Sequence, residues 1–239
     1  MAAFEKWQEA ISQNISNGSA PGFKKTDISF SAIDSDLTSI QDGSSSADRV
    51  HGAMPAATPS ISFAQGQMNH SDSDLDFAIQ GSGFFQVQKA DGTMAYTRNG
   101  QFHLSPDKTL VNQEGLPVQG EGGPIVFKTG GGPIAINADG TITQQDQTVA
   151  KLPAYNFADV KTLRRVGNGL LAPDDSSITP KKMEHPQILN NYLESSNVSP
   201  LNEMVNLVSV SRAYEASQKV IQTADDNEDK AIQTFGNPN

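Results

Sequence analysis

Two amphipathic stripes stand near opposite ends of the chain, with no comparable stripe between them. Phe4, Trp7, Ile11 and Ile15 recur at spacings of three and four, while Glu5, Lys6, Glu9 and Gln13 lie elsewhere. That period predicts a short helix with one apolar face. Asn17-Gly18 and Pro21-Gly22 end it, because glycine supplies the left-handed exit and proline biases its predecessor away from helix. The second stripe opens at Ser199-Pro200, an N-cap followed by proline at the first helical position. Met204, Leu207, Val208, Ser211, Tyr214, Ser217, Ile221 and Ala224 then line one face, and the pattern fades through Asp225 to Lys230 towards Phe235. An isolated helix under roughly 12 to 15 residues is marginal in water. Four or five anchors at about 1.5–3 kcal/mol each outweigh the ordering cost only when a partner covers them. With no third helix to complete a bundle, the two stripes must pair with each other, with copies in other molecules, or both.

What lies between them reads as two textures. From Gln41 to Asp74 the chain is rich in Ser, Asp, Ala, Gly and Pro, with scattered Val50, Met54, Ile61, Phe63 and Met68. Such a stretch buries too little surface to order itself alone and is expected to lean on other subunits or domains. From Leu75 to about Phe157 there are short β-type runs, Phe84–Val87, Met94–Thr97, Ile125–Phe127 and Ile134–Ile136. They are separated by Asp91-Gly92, Asn99-Gly100, Glu114-Gly115 and Asp139-Gly140, pairs that favour hairpin turns. A polar stretch follows from Ala172 to Pro186. The expected fold class is α+β: long terminal helices pairing as a coiled-coil-like layer, an extended connector, and a central antiparallel all-β domain. The expected boundaries are an N-terminal helix over 1–20, a connector over 21–74, a β-rich outer domain over 75–171, a return connector over 172–198 and a C-terminal helix over 199–239.

Seventeen basic against twenty-seven acidic side chains leave a net charge of −10, a field that repels phosphate backbones and anionic lipid. Nucleic acid is not an expected partner. No stretch approaches the roughly 18 to 20 apolar residues of a membrane span, so direct membrane insertion is not expected either. The start of the chain shows no basic segment leading into an apolar one, so no cleaved secretory signal is expected. Zero cysteine excludes disulfides, thiolate metal sites and a cysteine nucleophile.

Local motifs for chemistry fail one by one. Gly81-Ser82-Gly83 runs into the β-type Phe84-Phe85-Gln86-Val87 and not into a helix N-terminus, so it reads as a turn or bulge, not a phosphate cradle. Asp72-Ser73-Asp74-Leu75-Asp76 starts like a calcium loop but has Phe77 where glycine is required and Gly83 where a glutamate belongs. His51, His70, His103 and His185 lie far apart without ligand spacing. Asp91 and Glu114 offer a carboxylate pair of the kind a peptidoglycan hydrolase uses, but so does any acidic protein, and the one tryptophan is in the first helix. No catalytic residue, metal or cofactor is expected. The Trp7 stripe reads as a helix–helix seam, since a membrane-surface helix would carry Lys and Arg where Glu5, Lys6 and Glu9 stand.

Five blocks resemble a known family. Ile11-Ser12-Gln13-Asn14-Ile15-Ser16-Asn17-Gly18-Ser19-Ala20-Pro21-Gly22-Phe23-Lys24 resembles the N-terminal signature of the bacterial flagellar rod and hook axial proteins, with Gln13-Asn14 where paired Asn is usual. Leu75-Asp76-Phe77-Ala78-Ile79-Gln80-Gly81-Ser82-Gly83-Phe84-Phe85-Gln86-Val87 resembles that family's entry into its β domain, and Tyr96-Thr97-Arg98-Asn99-Gly100-Gln101-Phe102 follows at a similar distance. Asn191-Tyr192-Leu193-Glu194-Ser195-Ser196-Asn197-Val198, then Glu203-Met204-Val205, Arg212-Ala213-Tyr214-Glu215 and Lys219, resemble its C-terminal signature. The blocks keep family order across nearly the whole chain. The resemblance implies a non-enzymatic subunit of the periplasmic rod of the basal body, exported through the flagellar apparatus without a cleaved signal. Its partners would be other rod subunits, proximal and distal, and copies of itself.

Within the family, the length and the closing Asp229-Lys230-Ala231-Ile232 and Phe235-Gly236 are most similar to the proximal rod member, with the distal rod member as the alternative. A secreted cell-wall-binding or hydrolytic β domain is the competing class. The Asn-rich helix end stands nearer the start than the family pattern, which implies either that the chain starts late or that its first helix is shortened. The expected interface residues are Phe4, Trp7, Ile11 and Ile15 in the first helix and Met204, Leu207, Val208, Tyr214 and Ile221 in the last. Asn14, Gly22 and Phe23 are expected to shape the turn between helix and connector.

Overall fold

A computed structural model describes residues 2–33, 54–128, 132, 134–145, 147–175 and 177–235. The chain divides into two units. The helical unit comprises Met1–Ile15, Thr26–Ser60 and Ser199–Asn239; the β unit comprises Ser16–Lys25 and Ile61–Val198.

The helical unit holds α1 (Ala2–Ser16) and α2 (Pro200–Phe235). The expectation of two long terminal helices is corrected here. At 1.5 Å per residue the 15 residues of α1 span about 22 Å, against about 54 Å for the 36 residues of α2. The unit's third part is a two-stranded ribbon of Thr26–Ile33 and Met54–Ile61. The hydroxyls of Ser29 and Thr58 meet at 2.9 Å, and Ser60 Oγ donates to the Asp27 carbonyl at 3.4 Å. Part of the expected connector is thus a β ribbon; Val50 and His51 lie outside the described residues.

The β unit is built of short antiparallel strands in several small sheets. The largest runs in the order Leu163–Arg165, Leu170–Pro173, Met94–Thr97, Phe85–Gln88, with four strands. A three-stranded sheet joins Ile134–Ile136, Thr141–Gln144 and Gln147–Lys151. Adjacent residues along a strand face opposite ways, and here both faces are covered. Phe85, Val87 and Ala95 enter one core with Phe77, Phe102, Leu110, Ile142 and Leu152. Phe84 and Tyr96 enter a second with Phe157, Leu163 and Leu171, packed edge to face.

Three expected turns carry a positive-φ glycine, at Gly92, Gly115 and Gly140. The fourth differs. Gly100 has no positive φ; a Cβ there would fall 1.6 Å from the Phe77 carbonyl oxygen, and Phe77 N donates to the Gly100 carbonyl at 3.0 Å. Asn99-Gly100 is therefore a close crossing of two chain segments and not a hairpin turn. Where the sequence suggests a strand over Ile125–Phe127, the named strand is Gly123–Pro124, although Ile125 and Phe127 are both buried.

Where a return connector is expected over 172–198, the chain forms strands. Gln187–Asn190 pairs with Phe77–Gln80, and Tyr192–Glu194 pairs with Met68–His70. Only Ile188 and Glu194 of these late strands are fully buried, so the apolar content is too low for a period-2 signal. Gly81-Ser82-Gly83 is a turn followed by strand, as its sequence suggests.

Candidate assembly face and buried junction

In α1 the covered side matches the sequence stripe. Ile11 is buried, Phe4, Trp7 and Ile15 are half-buried, and Glu5, Lys6, Glu9 and Gln13 are exposed. Asn14 is 1 % exposed and acts as the helix's fastener. Its Oδ1 accepts from Thr26 N at 2.9 Å, and its Nδ2 donates to the Thr26 carbonyl at 2.8 Å and to Glu203 Oε2 at 3.1 Å. One side chain thus satisfies both backbone groups at the ribbon's first residue and ties the last turn of α1 to the first turn of α2.

The α2 stripe is divided. Glu203 and Val210 are buried and Leu207, Tyr214 and Ser217 half-buried, in steps of four, three, four and three. That is the 3.5-residue repeat of a narrow helix–helix seam. Met204 and Val208, expected on the same side, are 51 % and 52 % exposed. At 3.6 residues per turn they stand with Leu201 and Val205, 73 % and 60 % exposed, on the side opposite Glu203 and Val210. Ile221 keeps the phase of the covered seam but is 48 % exposed. The sequence reading merged two faces into one broad stripe and missed Leu201, Val205 and Val210. The 4-3-4-3 spacing from Glu203 was the signal that separates them.

Gly22 and Phe23 are buried in the β unit, where the segment Gly22-Phe23-Lys24 enters a knot of charges. Gly22 has φ +68, and a Cβ would lie 2.2 Å from Asn99 N, so both conformation and space demand glycine. Phe23 lies under the Arg165 guanidinium at 4.2 Å, and Arg165 Nη2 donates to the Lys24 carbonyl at 2.7 Å. Lys24 Nζ meets Glu194 Oε1 at 2.5 Å and the Ala64 carbonyl at 2.8 Å. Arg98 Nη1 stands 3.3 Å from Glu194 Oε2 and donates to the Ile79 carbonyl at 3.0 Å, while Nη2 donates to the Gly81 carbonyl. Lys24, Arg98 and Glu194 are all buried. Burial pushes the Lys24 amine below the ordinary lysine value, a pull that its hydrogen bond to Glu194 partly offsets. Burial likewise lowers Arg98, against the opposing charge of Glu194. Removing one partner of such a pair strands a buried charge and costs about 3–5 kcal/mol. Sequence reading missed this cluster because Lys, Arg and Glu are ordinarily surface residues.

Other sequence candidates stay local. His70 packs edge-on against Tyr192, and Asp91 accepts from Thr93 N within its own turn. Asp76 is buried and accepts from Ser71 Oγ at 2.5 Å. Among the described residues no three or more His, Cys, Asp or Glu are grouped to hold a metal ion, and no helix is long and apolar enough to cross a membrane.

In the helical unit α2 has a covered seam on one side and an open apolar side on the other. The sequence profile of the "Flagellar hook protein FlgE/F/G D1 domain" matches residues 78–144, and that of the "Flagellar basal body rod FlgEFG protein C-terminal" matches residues 189–234. The chain is 30 % identical to the flagellar basal-body rod protein FlgF of Mesorhizobium japonicum over 98 % of its own length and 93 % of that protein's. It is 32 % identical to FlgF of Salmonella typhimurium, covering 95 % and 91 %, and 34 % identical to FlgG of Buchnera aphidicola subsp. Baizongia pistaciae, covering 90 % and 88 %. The chain belongs to the family of bacterial flagellar basal-body rod proteins.

Proposed function

We propose that this chain is a structural subunit of the flagellar rod that assembles through its helical unit, and that it occupies the proximal rod, the member that its Asp229-Lys230-Ala231-Ile232 most resembles. The observation that carries the reading is the open side of α2, where Leu201, Met204, Val205 and Val208 remain at least half exposed. Fully burying an apolar side chain of this size yields about 1.5–3 kcal/mol, so completing the burial of four yields roughly 3–8 kcal/mol. Association costs an estimated 4–15 kcal/mol in lost freedom. One such patch therefore does not hold a lone pair of subunits; several seams made at once do, which favours a lattice over a dimer. Head-to-tail contacts whose rotation does not close give an open helical rod.

In this reading α1 and α2 form a coiled-coil-like inner layer with neighbouring rod subunits and further copies of the chain. Phe4, Trp7, Ile11, Ile15, Leu207, Val208, Tyr214 and Ile221 contribute to its seams, and Asn14 sets the helix exit. The stretches 21–74 and 172–198 brace neighbours, and the β-rich domain thickens the shaft in the periplasm. The subunit works mechanically, without catalysis, after export as an unfolded chain.

The test replaces Met204 and Val208 together with Asp. The expected result is a purified chain that melts like the parent, with loss of rod assembly and of swimming. Normal motility in cells carrying only the double variant would count decisively against the reading.

A further inference from the structure

The chain enters or leaves the β unit at four places, before Ser16, after Lys25, before Ile61 and after Val198. Torque exchanged between this unit and the rest of the chain through covalent bonds passes along these four crossings. Two residues beside the last crossing each bind both the segment that ends at Lys25 and the segment that starts at Ile61. Glu194 accepts from Lys24 Nζ at 2.5 Å and from Gly66 N at 2.9 Å through Oε1, and its carbonyl accepts from Gly22 N at 2.6 Å. Asn197 Oδ1 accepts from Lys25 N at 2.7 Å, while its Nδ2 donates to the carbonyls of Ser62 at 2.9 Å and Ala64 at 3.0 Å.

Direct bonds complete the triangle, from Lys24 Nζ to the Ala64 carbonyl at 2.8 Å and from Ser62 N to the Lys25 carbonyl at 2.8 Å. Arg98, on a strand-following segment of the core, adds a second cation facing Glu194 at 3.3 Å. Two buried cations share one buried carboxylate, so Glu194 is the group whose loss leaves like charges facing each other.

We infer that Glu194 and Asn197 are positioning residues of a mechanical joint, locking residues 22–25, 62–66 and 194–197 into one block so that the crossings after Lys25, before Ile61 and after Val198 cannot shear or twist independently of one another. The bonds alone define the joint; its use in passing torsion along a rotating shaft rests on the rod reading. Stability alone is a weak account of the arrangement, because well-packed apolar replacements of buried ion pairs are often as stable or more so. Directional hydrogen bonds hold register as well as contact.

The experiment compares amide hydrogen exchange in the purified full-length chain, the Glu194→Gln variant and the Asn197→Ala variant, and needs no rod assembly. With either variant, exchange is expected to rise about tenfold or more at 22–25, 62–66 and 194–197 while Phe77–Ile79, Phe85–Val87 and Leu110–Val111 stay protected, the pattern of local opening. Glu194→Asp, which keeps the charge, should restore part of the protection. A rise spread evenly over the unit would reduce both residues to ordinary contributors to stability, and an unchanged pattern would remove the joint. Should Glu194→Gln fail to fold, the uncharged Asn197→Ala change decides alone. A motile Met204 and Val208 double variant would overturn the rod reading and leave this result standing.

Discussion

In the β unit Phe77, Phe85, Leu110, Ile142 and Leu152 are at 0 % exposure, whereas along α2 Leu201, Met204, Val205, Val208, Val220 and Ile221 keep between 48 % and 73 % of their surface open. The first region satisfies its apolar groups within the chain. The second carries large aliphatic side chains on water-facing positions of a regular helix, where polar residues would serve solubility better. Burial in the β unit measures what the monomer satisfies within itself; exposure on α2 measures what the proposed assembly would cover. Both regions are fastened by a buried carboxylate, Glu203 bonded to Asn14 and Glu194 bonded to Lys24, so each uses polar bonds for register and apolar area for adhesion.

This contrast can be broken at several points. The largest expected effect is in the closed core: Phe85→Ala should cost about 3–5 kcal/mol in denaturant unfolding, because the ring is wholly buried and touches Phe102 edge-on. A loss under about 1 kcal/mol would mean that the β unit is less tightly closed than its burial implies. Next comes Gly22→Ala, which places a side chain at positive φ against the backbone of Asn99. About 1–3 kcal/mol of destabilisation is expected in a thermal melt.

Asn14→Ala should follow at about 1–2 kcal/mol, seen as early loss of helical circular dichroism, since three hydrogen bonds vanish and buried Glu203 loses the amide donor of Asn14. Smallest is the change on the open side of α2, where paired Asp substitutions at Met204 and Val208 should shift monomer stability by no more than about 0.5 kcal/mol each. On the proposed rod reading, the same change is expected to have the largest effect on assembly. If monomer melting and assembly instead fell together, the two regions would not differ as their burial says.

Several elements were readable in advance. The strands Met94–Thr97 and Ile134–Ile136 have the limits their β-type runs suggest, and α1 covers the side carrying Trp7, Ile11 and Ile15. These depend on neighbours within a few positions, where periodicity and turn residues act directly. The pairing of Gln187–Asn190 with Phe77–Gln80 joins segments more than a hundred positions apart, and no local pattern announces it. On α2 both faces are apolar near the start, so the stripe looked like one.

By itself the amino-acid sequence determined the two helices and strands such as Met94–Thr97 and Ile134–Ile136, that the two ends carry apolar stripes, and, through its five blocks, the family. Those are properties of short-range backbone preference and residue order. Only the tertiary structure decided which side of α2 is covered and which is left open, and that Lys24, Arg98 and Glu194 are buried together instead of solvated. Burial is a property of what other segments do in three dimensions. The same glutamate is a surface charge or the centre of a joint according to which distant backbone closes over it.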